Sequence, residues 1–132
     1  MEDLDQAGYS KRIKTADWQS LSIAIKWLAY FHAKFMNCSA NKLWPIGTYW
    51  HLGTRQDEWS TMPDSEFKYK ATAIDNSLNS ATYKTLVHGD AKFENLCFHQ
   101  DVESNINKVA AVDFQYVGNG SGVKDLAYLV GS

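Results

Sequence analysis

The sequence has little cysteine, little proline, no surplus of positive charge and no long apolar run. Each shortage removes a class of protein. Cys38 and Cys97 stand far apart and are the only cysteines, which fits a reduced, cytoplasmic chain better than a disulfide framework. These two and the four histidines (His32, His51, His88, His99) show no paired ligand spacing, so zinc is not expected. The formal net charge of -2 leaves no electrostatic footprint for nucleic acid or for a membrane surface. The most apolar stretch, Ile23 to Phe35, is broken by Lys26, His32 and Lys34 and is not a membrane span. No charged segment followed by an apolar one opens the chain, so secretion is not expected. With no internal repeat, low-complexity tract or linker, 132 residues at 45% apolar content fit one domain around a single core.

What the chain does have is aromatic residues, with Trp18, Trp27, Trp44, Trp50 and Trp59 all in the first half. They read first as packing residues. A cage for a cationic substrate is the sharper alternative, because ring faces attract quaternary ammonium groups, but their spacing does not favour it.

From Asp17 to Asn37 the apolar positions Leu21, Ala24, Ile25, Leu28, His32 and Phe35 recur at three- and four-residue steps, which predicts a helix capped by Asp17. Residues 39–65, punctuated by Pro45, Gly47, Gly53 and Pro63, fit a short helix or loops. A second helix is expected over Ser65 to Asn79, with Phe67, Tyr69, Ala71, Ile74 and Leu78 facing inward. Short strands are expected at Thr85–Val87, Leu96–Phe98 and Val109–Val112, then a flexible turn at Gly118, Gly120 and Gly122, then a helix from Asp125. Helices, a small β patch and a further helix make an α+β order.

The stretch "LVHGDAKFENLCF" carries the chemistry. His88, Asp90 and Asn95 follow the spacing H-x-D-x-x-x-x-N of a protein kinase catalytic loop, in which the aspartate accepts the hydroxyl proton and the asparagine holds magnesium. Phosphoryl transfer asks the protein for alignment and charge neutralisation rather than covalent chemistry, and Asp and Asn both offer the oxygen ligands magnesium prefers. A plain turn, with Asp90 bonding its own backbone, accounts for the same stretch. Asp113, in "VAAVDFQ", tips the balance, since a carboxylate ending an apolar strand is where a kinase keeps its metal-binding aspartate. Buried there, it would need a cation or a salt bridge. Lys92 is placed to neutralise phosphate charge, or is an ordinary exposed lysine.

Together with "VAAVDFQYVGNGSGVKDLAYLV", the stretch resembles the small-molecule kinases of the aminoglycoside phosphotransferase and choline kinase superfamily, above all the ecdysteroid kinase-like branch. The resemblance implies a fold like the protein kinase C-terminal lobe. It implies transfer of the γ-phosphate of ATP, with Mg2+, to a hydroxyl of a small molecule. It casts Asp90 as catalytic base, Lys92 as a phosphate contact, and Asn95 and Asp113 as metal ligands. His88, Phe114 and Asp125 would support the site, Phe114 by packing beneath the metal. "MEDLDQAGYSKR" resembles the segment joining the two kinase lobes, whose backbone at Glu2, Asp3 and Leu4 would bond adenine.

No Gly-x-Gly-x-x-Gly and no strand lysine precede these elements. The expectation is therefore a partial domain over 1–132, the hinge and C-terminal lobe of a kinase whose N-terminal lobe lies elsewhere in the same protein, with little turnover by these residues alone. The other reading is a non-catalytic binding module derived from such a kinase, self-associating through apolar surface left exposed.

Overall fold

A computed structural model describes residues 2–100 and 106–132 of the chain. The helices are α1 (Trp18–Lys34), α2 (Gln56–Thr61), α3 (Glu66–Asn79) and α4 (Val123–Gly131). The strands are β1 (Thr85–Val87), β2 (Leu96–Gln100), β3 (Ile106–Ala111) and β4 (Gly118–Gly120). They form two antiparallel two-stranded sheets, β1 with β4 and β2 with β3. The mixed α+β class expected from the sequence is the one observed.

The helix α1 begins where the sequence says it should. The Asp17 carboxylate accepts from the Ser20 amide at 2.7 Å, and the Asp17 amide donates to Ser20 Oγ at 3.1 Å, so two of the unpaired donors of the first turn are satisfied reciprocally. The Ser20 amide, and then the Ser20 hydroxyl, both donating to the Asp17 carboxylate, hold it below its usual range. The stripe Ser20, Ala24 and Leu28 is buried and packs across β3. The core it closes contains Phe93, Leu96, Phe98, Val109 and Leu129. A hydrogen bond from Thr85 Oγ1 to the His32 carbonyl, 2.8 Å, ties the end of α1 to the first residue of β1.

Two expectations need correction. Gly118 to Gly120 is not a flexible turn but β4, paired with β1 in the register Thr85↔Gly120, Leu86↔Asn119 and Val87↔Gly118. The backbone of Trp44 crosses Gly118 so closely that a Cβ there would stand 2.3 Å from the Trp44 carbonyl oxygen, so the glycine serves close approach rather than freedom. In α3 the inward set also fails in part: Tyr69 is 72% exposed and Phe67 65%, and no residue of α3 is buried. Phe67, Ala71, Ile74 and Leu78 instead line an open cavity between α3 and α2. An amphipathic pattern marks a helix's apolar face, but it does not say whether that face meets a core or a cavity.

Candidate active site

Residues His88 to Asn95 leave β1, reverse at Gly89 and enter β2 through a 3-10 turn at Phe93–Asn95. Gly89 has φ +85, and a Cβ there would lie 2.4 Å from the Tyr116 carbonyl oxygen and 2.8 Å from the Thr48 nitrogen. No other residue fits that reversal without moving two backbone segments.

The loop hangs on Asp125, in the first turn of α4 and 1% exposed. Its Oδ2 accepts from the His88 amide at 2.7 Å and its Oδ1 from the Gly89 amide at 2.9 Å. Oδ2 also lies 2.8 Å from His32 Nε2, on α1. A buried carboxylate is tolerated when its oxygens are filled by donors, and here two amides and an imidazole fill them. His88 is fully buried. Its Nε2 donates to the Val112 carbonyl at 2.9 Å and its Nδ1 accepts from the Asp90 amide at 3.3 Å, which fixes the Nε2–H tautomer. The ring spans the loop and the end of β3, and Phe114 packs on it with ring centroids 4.5 Å apart. Phe114 also meets Phe31 at 6.0 Å and Trp27 at 6.5 Å, so the face it covers is His88 and α1.

Asp90 is 6% exposed. Its Oδ2 accepts from Asn95 Nδ2 at 2.9 Å and pairs with Lys92 Nζ at 3.0 Å. The Asn95 amide nitrogen bonds the Asp90 carbonyl as well, at 2.9 Å. Oδ1 of Asp90 and Oδ1 of Asn95 have no hydrogen-bond partner among the described residues, so one carboxylate oxygen and one amide oxygen are left for other atoms. The Asp90 carboxylate is thus held by side chains, while its backbone carbonyl closes a turn with the Lys92 amide at 2.9 Å. Lys92 is not an idle surface lysine: its hydrogen bond to Asp90 pushes its pKa up.

Asp113 is brought near by the sheet. Asn95 immediately precedes β2 beside the end of β3, and the Val112 amide donates to the Asn95 carbonyl at 3.0 Å, so Asp113 follows directly. Its burial, expected from the apolar run before it, is not found. Asp113 is exposed and makes no salt bridge among the described residues; its Oδ2 accepts from Gln115 Nε2 at 3.2 Å. What marks it is backbone, φ +63, a left-handed conformation that a non-glycine residue holds at some cost and that concentrates at functional sites.

Glu2, Asp3 and Leu4 stand apart from this cluster. The Asp3 and Leu4 carbonyls accept from Ala7 and Tyr9 at 3.0 and 2.8 Å, closing a turn. The segment reaches the sheet through Lys11, which exchanges two backbone hydrogen bonds with Phe98 of β2, at 2.9 and 3.2 Å. No hydrogen bond among the described residues joins Glu2, Asp3 or Leu4 to the Asp90 loop. Sequence reasoning missed His32 as a partner of Asp125; a histidine on an apolar stripe, 93 residues from its aspartate, gives no local signal.

No group of three or more histidine, cysteine or acidic side chains among the described residues is placed to hold a metal. Magnesium needs no such cage: it keeps several waters and takes one or two carboxylates plus phosphate oxygens. Asp113, with an exposed carboxylate, and Asn95, whose amide oxygen has no hydrogen-bond partner among the described residues, are oxygen donors of that kind.

An α+β chain whose loop and strand end carry this set has the organisation of a kinase-like protein. A family model described as the ecdysteroid kinase-like family matches residues 49–132, and the chain belongs to that family. Comparison with curated proteins and with solved structures gave no match. No helix among the described residues is long and apolar enough to cross a membrane.

Proposed function

We propose that the chain carries the catalytic lobe of an ATP-dependent phosphotransferase acting on a hydroxyl of a small molecule. The observation that carries this reading is the bracing of Asp90: one oxygen is fixed by Asn95 and Lys92 while the other has no hydrogen-bond partner among the described residues. A carboxylate held this way can take a hydroxyl proton in one defined direction, and general-base catalysis of that kind contributes about 10²–10⁴-fold. Asn95 and Asp113 would hold Mg2+, which neutralises charge on the phosphate oxygens when bound. Lys92, fixed by its pair to Asp90, would face the transferred phosphate as a point charge. Asp125, His88 and Phe114 keep the loop's shape and do not touch substrate. The adenine-binding role expected of Glu2 to Leu4 has less support, because the carbonyls of Asp3 and Leu4 already accept within their own turn.

The test is Asp90→Asn, made in the protein together with the N-terminal lobe that this reading requires. Asn keeps the shape and the Lys92 contact but cannot accept a proton. The reading expects kcat to fall by about 10²-fold or more while ATP·Mg binding, followed by calorimetry, changes little. Unchanged kcat would remove Asp90 as the base.

A further inference from the structure

Asp113 lies on an exposed stretch of chain between β3 and β4, so burial does not hold its carboxylate in place. What holds it is Gln115, whose Nε2 donates to Asp113 Oδ2 at 3.2 Å. A protein kinase has glycine two residues after this aspartate and no side chain there to offer. Gln115 is exposed as well, and it is fixed from elsewhere. Its carbonyl accepts from Trp44 Nε1 at 2.8 Å, across 71 residues of chain. Among the described residues this is the one hydrogen bond that reaches Asp113, Phe114 or Gln115 from outside residues 113–117.

Trp44 can do this because its own backbone is anchored. Its amide donates to the Val117 carbonyl at 3.2 Å, and its carbonyl accepts from the Asn119 amide at 3.1 Å. The Gly47 and Thr48 amides donate to the Asn119 and Tyr116 carbonyls at 2.7 and 3.1 Å. Residues 44–48 thus run along the edge of β4 that β1 leaves free. The Trp44 side chain is 56% exposed, so packing alone does not explain an indole there. An exposed hydrogen bond adds little to stability. What this one supplies is direction.

We propose that Trp44 is a positioning residue for the metal-binding carboxylate of Asp113 and that it acts through Gln115. The indole fixes the Gln115 backbone. The Gln115 amide then holds one Asp113 oxygen, and the other keeps its direction. The proposal rests on the phosphotransferase reading for the role of Asp113 toward Mg2+. Removing a side chain that hydrogen-bonds a metal ligand typically costs about 10–100-fold in metal affinity.

The experiment uses the protein together with its N-terminal lobe. Mg2+ is titrated in the presence of ATP and nucleotide binding is read by calorimetry. ATP binding in EDTA and the melting temperature are measured beside it. Trp44→Phe keeps a ring and loses the N–H; Gln115→Ala loses the amide. Each should raise the Mg2+ concentration at half-saturation about tenfold, with ATP binding in EDTA and the melting temperature unchanged. Because the two residues act in series, the double variant should show the same shift of about tenfold rather than the product of two. The parent value in either single variant, or multiplied shifts in the double one, would overturn the inference. So would a Trp44→Phe protein that fails to fold or melts well below the parent, since Trp44 would then be a structural residue. Asp113→Gly is the reference. If it abolishes the Mg2+ dependence while Trp44→Phe and Gln115→Ala keep the parent value, the inference falls and the phosphotransferase reading stands. If Asp113→Gly keeps the parent Mg2+ dependence, Asp113 is no metal ligand and both fall. The expected shifts in a protein that phosphorylates no hydroxyl would sustain the inference and remove the phosphotransferase reading.

Discussion

Asp125 Oδ2 lies 2.7 Å from the amide nitrogen of His88, 37 residues earlier in the chain. With its bonds to Gly89 and to His32 on α1, this carboxylate joins α4, the loop and α1 at one buried point. Asp125→Ala leaves two buried amides and an imidazole without their acceptor. It should cost about 3–5 kcal/mol in urea unfolding, the range for breaking a buried charged contact. A loss under 1 kcal/mol would mean the point is not shared as the distances show.

Gly89→Ala tests the reversal itself. The added Cβ meets the Tyr116 carbonyl oxygen at 2.4 Å, and φ +85 disfavours any side chain. The loss should exceed about 1 kcal/mol. Gly120→Ala is the control, since its Cβ first meets Val87 methyl groups at 3.2 Å, which can yield. Equal losses at the two sites would argue against the close approach.

Asp113→Gly separates strain from function. Glycine accepts φ +63 freely, so the substitution should leave the melting temperature equal or higher, while magnesium-dependent nucleotide binding is lost. A lowered melting temperature with nucleotide binding retained would show Asp113 to be a structural residue.

His51 sets a pH dependence. Burial lowers its pKa from 6.5, with Lys124 adding to the shift and Asp75 opposing it. The folded protein therefore binds a proton at His51 less readily than the unfolded chain. Between the lowered value and 6.5 the unfolded state holds more protons, so stability rises with pH through that window and is lost on acidification. His51→Gln should flatten the melting temperature between about pH 7 and pH 5 relative to the parent. An unchanged slope would place the acid sensitivity elsewhere.

The sequence showed most where one element speaks for itself. Asp17 and the stripe through Ala24 and Leu28 announced α1, and the spacing from His88 to Asn95 announced the loop. It failed where meaning depends on a distant neighbour. Gly118 to Gly120 looks like a turn until β1 lies beside it. Asp113 looks buried because the apolar run before it is continuous, yet the chain turns left-handed there and the carboxylate emerges. Phe67 looks like core because helical periodicity records polarity, not what the apolar face meets. The partners of Asp125 were hidden for the same reason, as backbone amides have no letter in the sequence.

The bond between His32 and Asp125 closes a loop of 93 residues. Contacts so distant along the chain are slow to form, because the entropy of closure must be met before the contact rewards it. During synthesis, the His88–Gly89 reversal waits for α4 to be made. A ribosome-bound chain that ends before residue 125 therefore carries Asp90, Lys92, Asn95 and Asp113 without the carboxylate that holds the His88 and Gly89 amides.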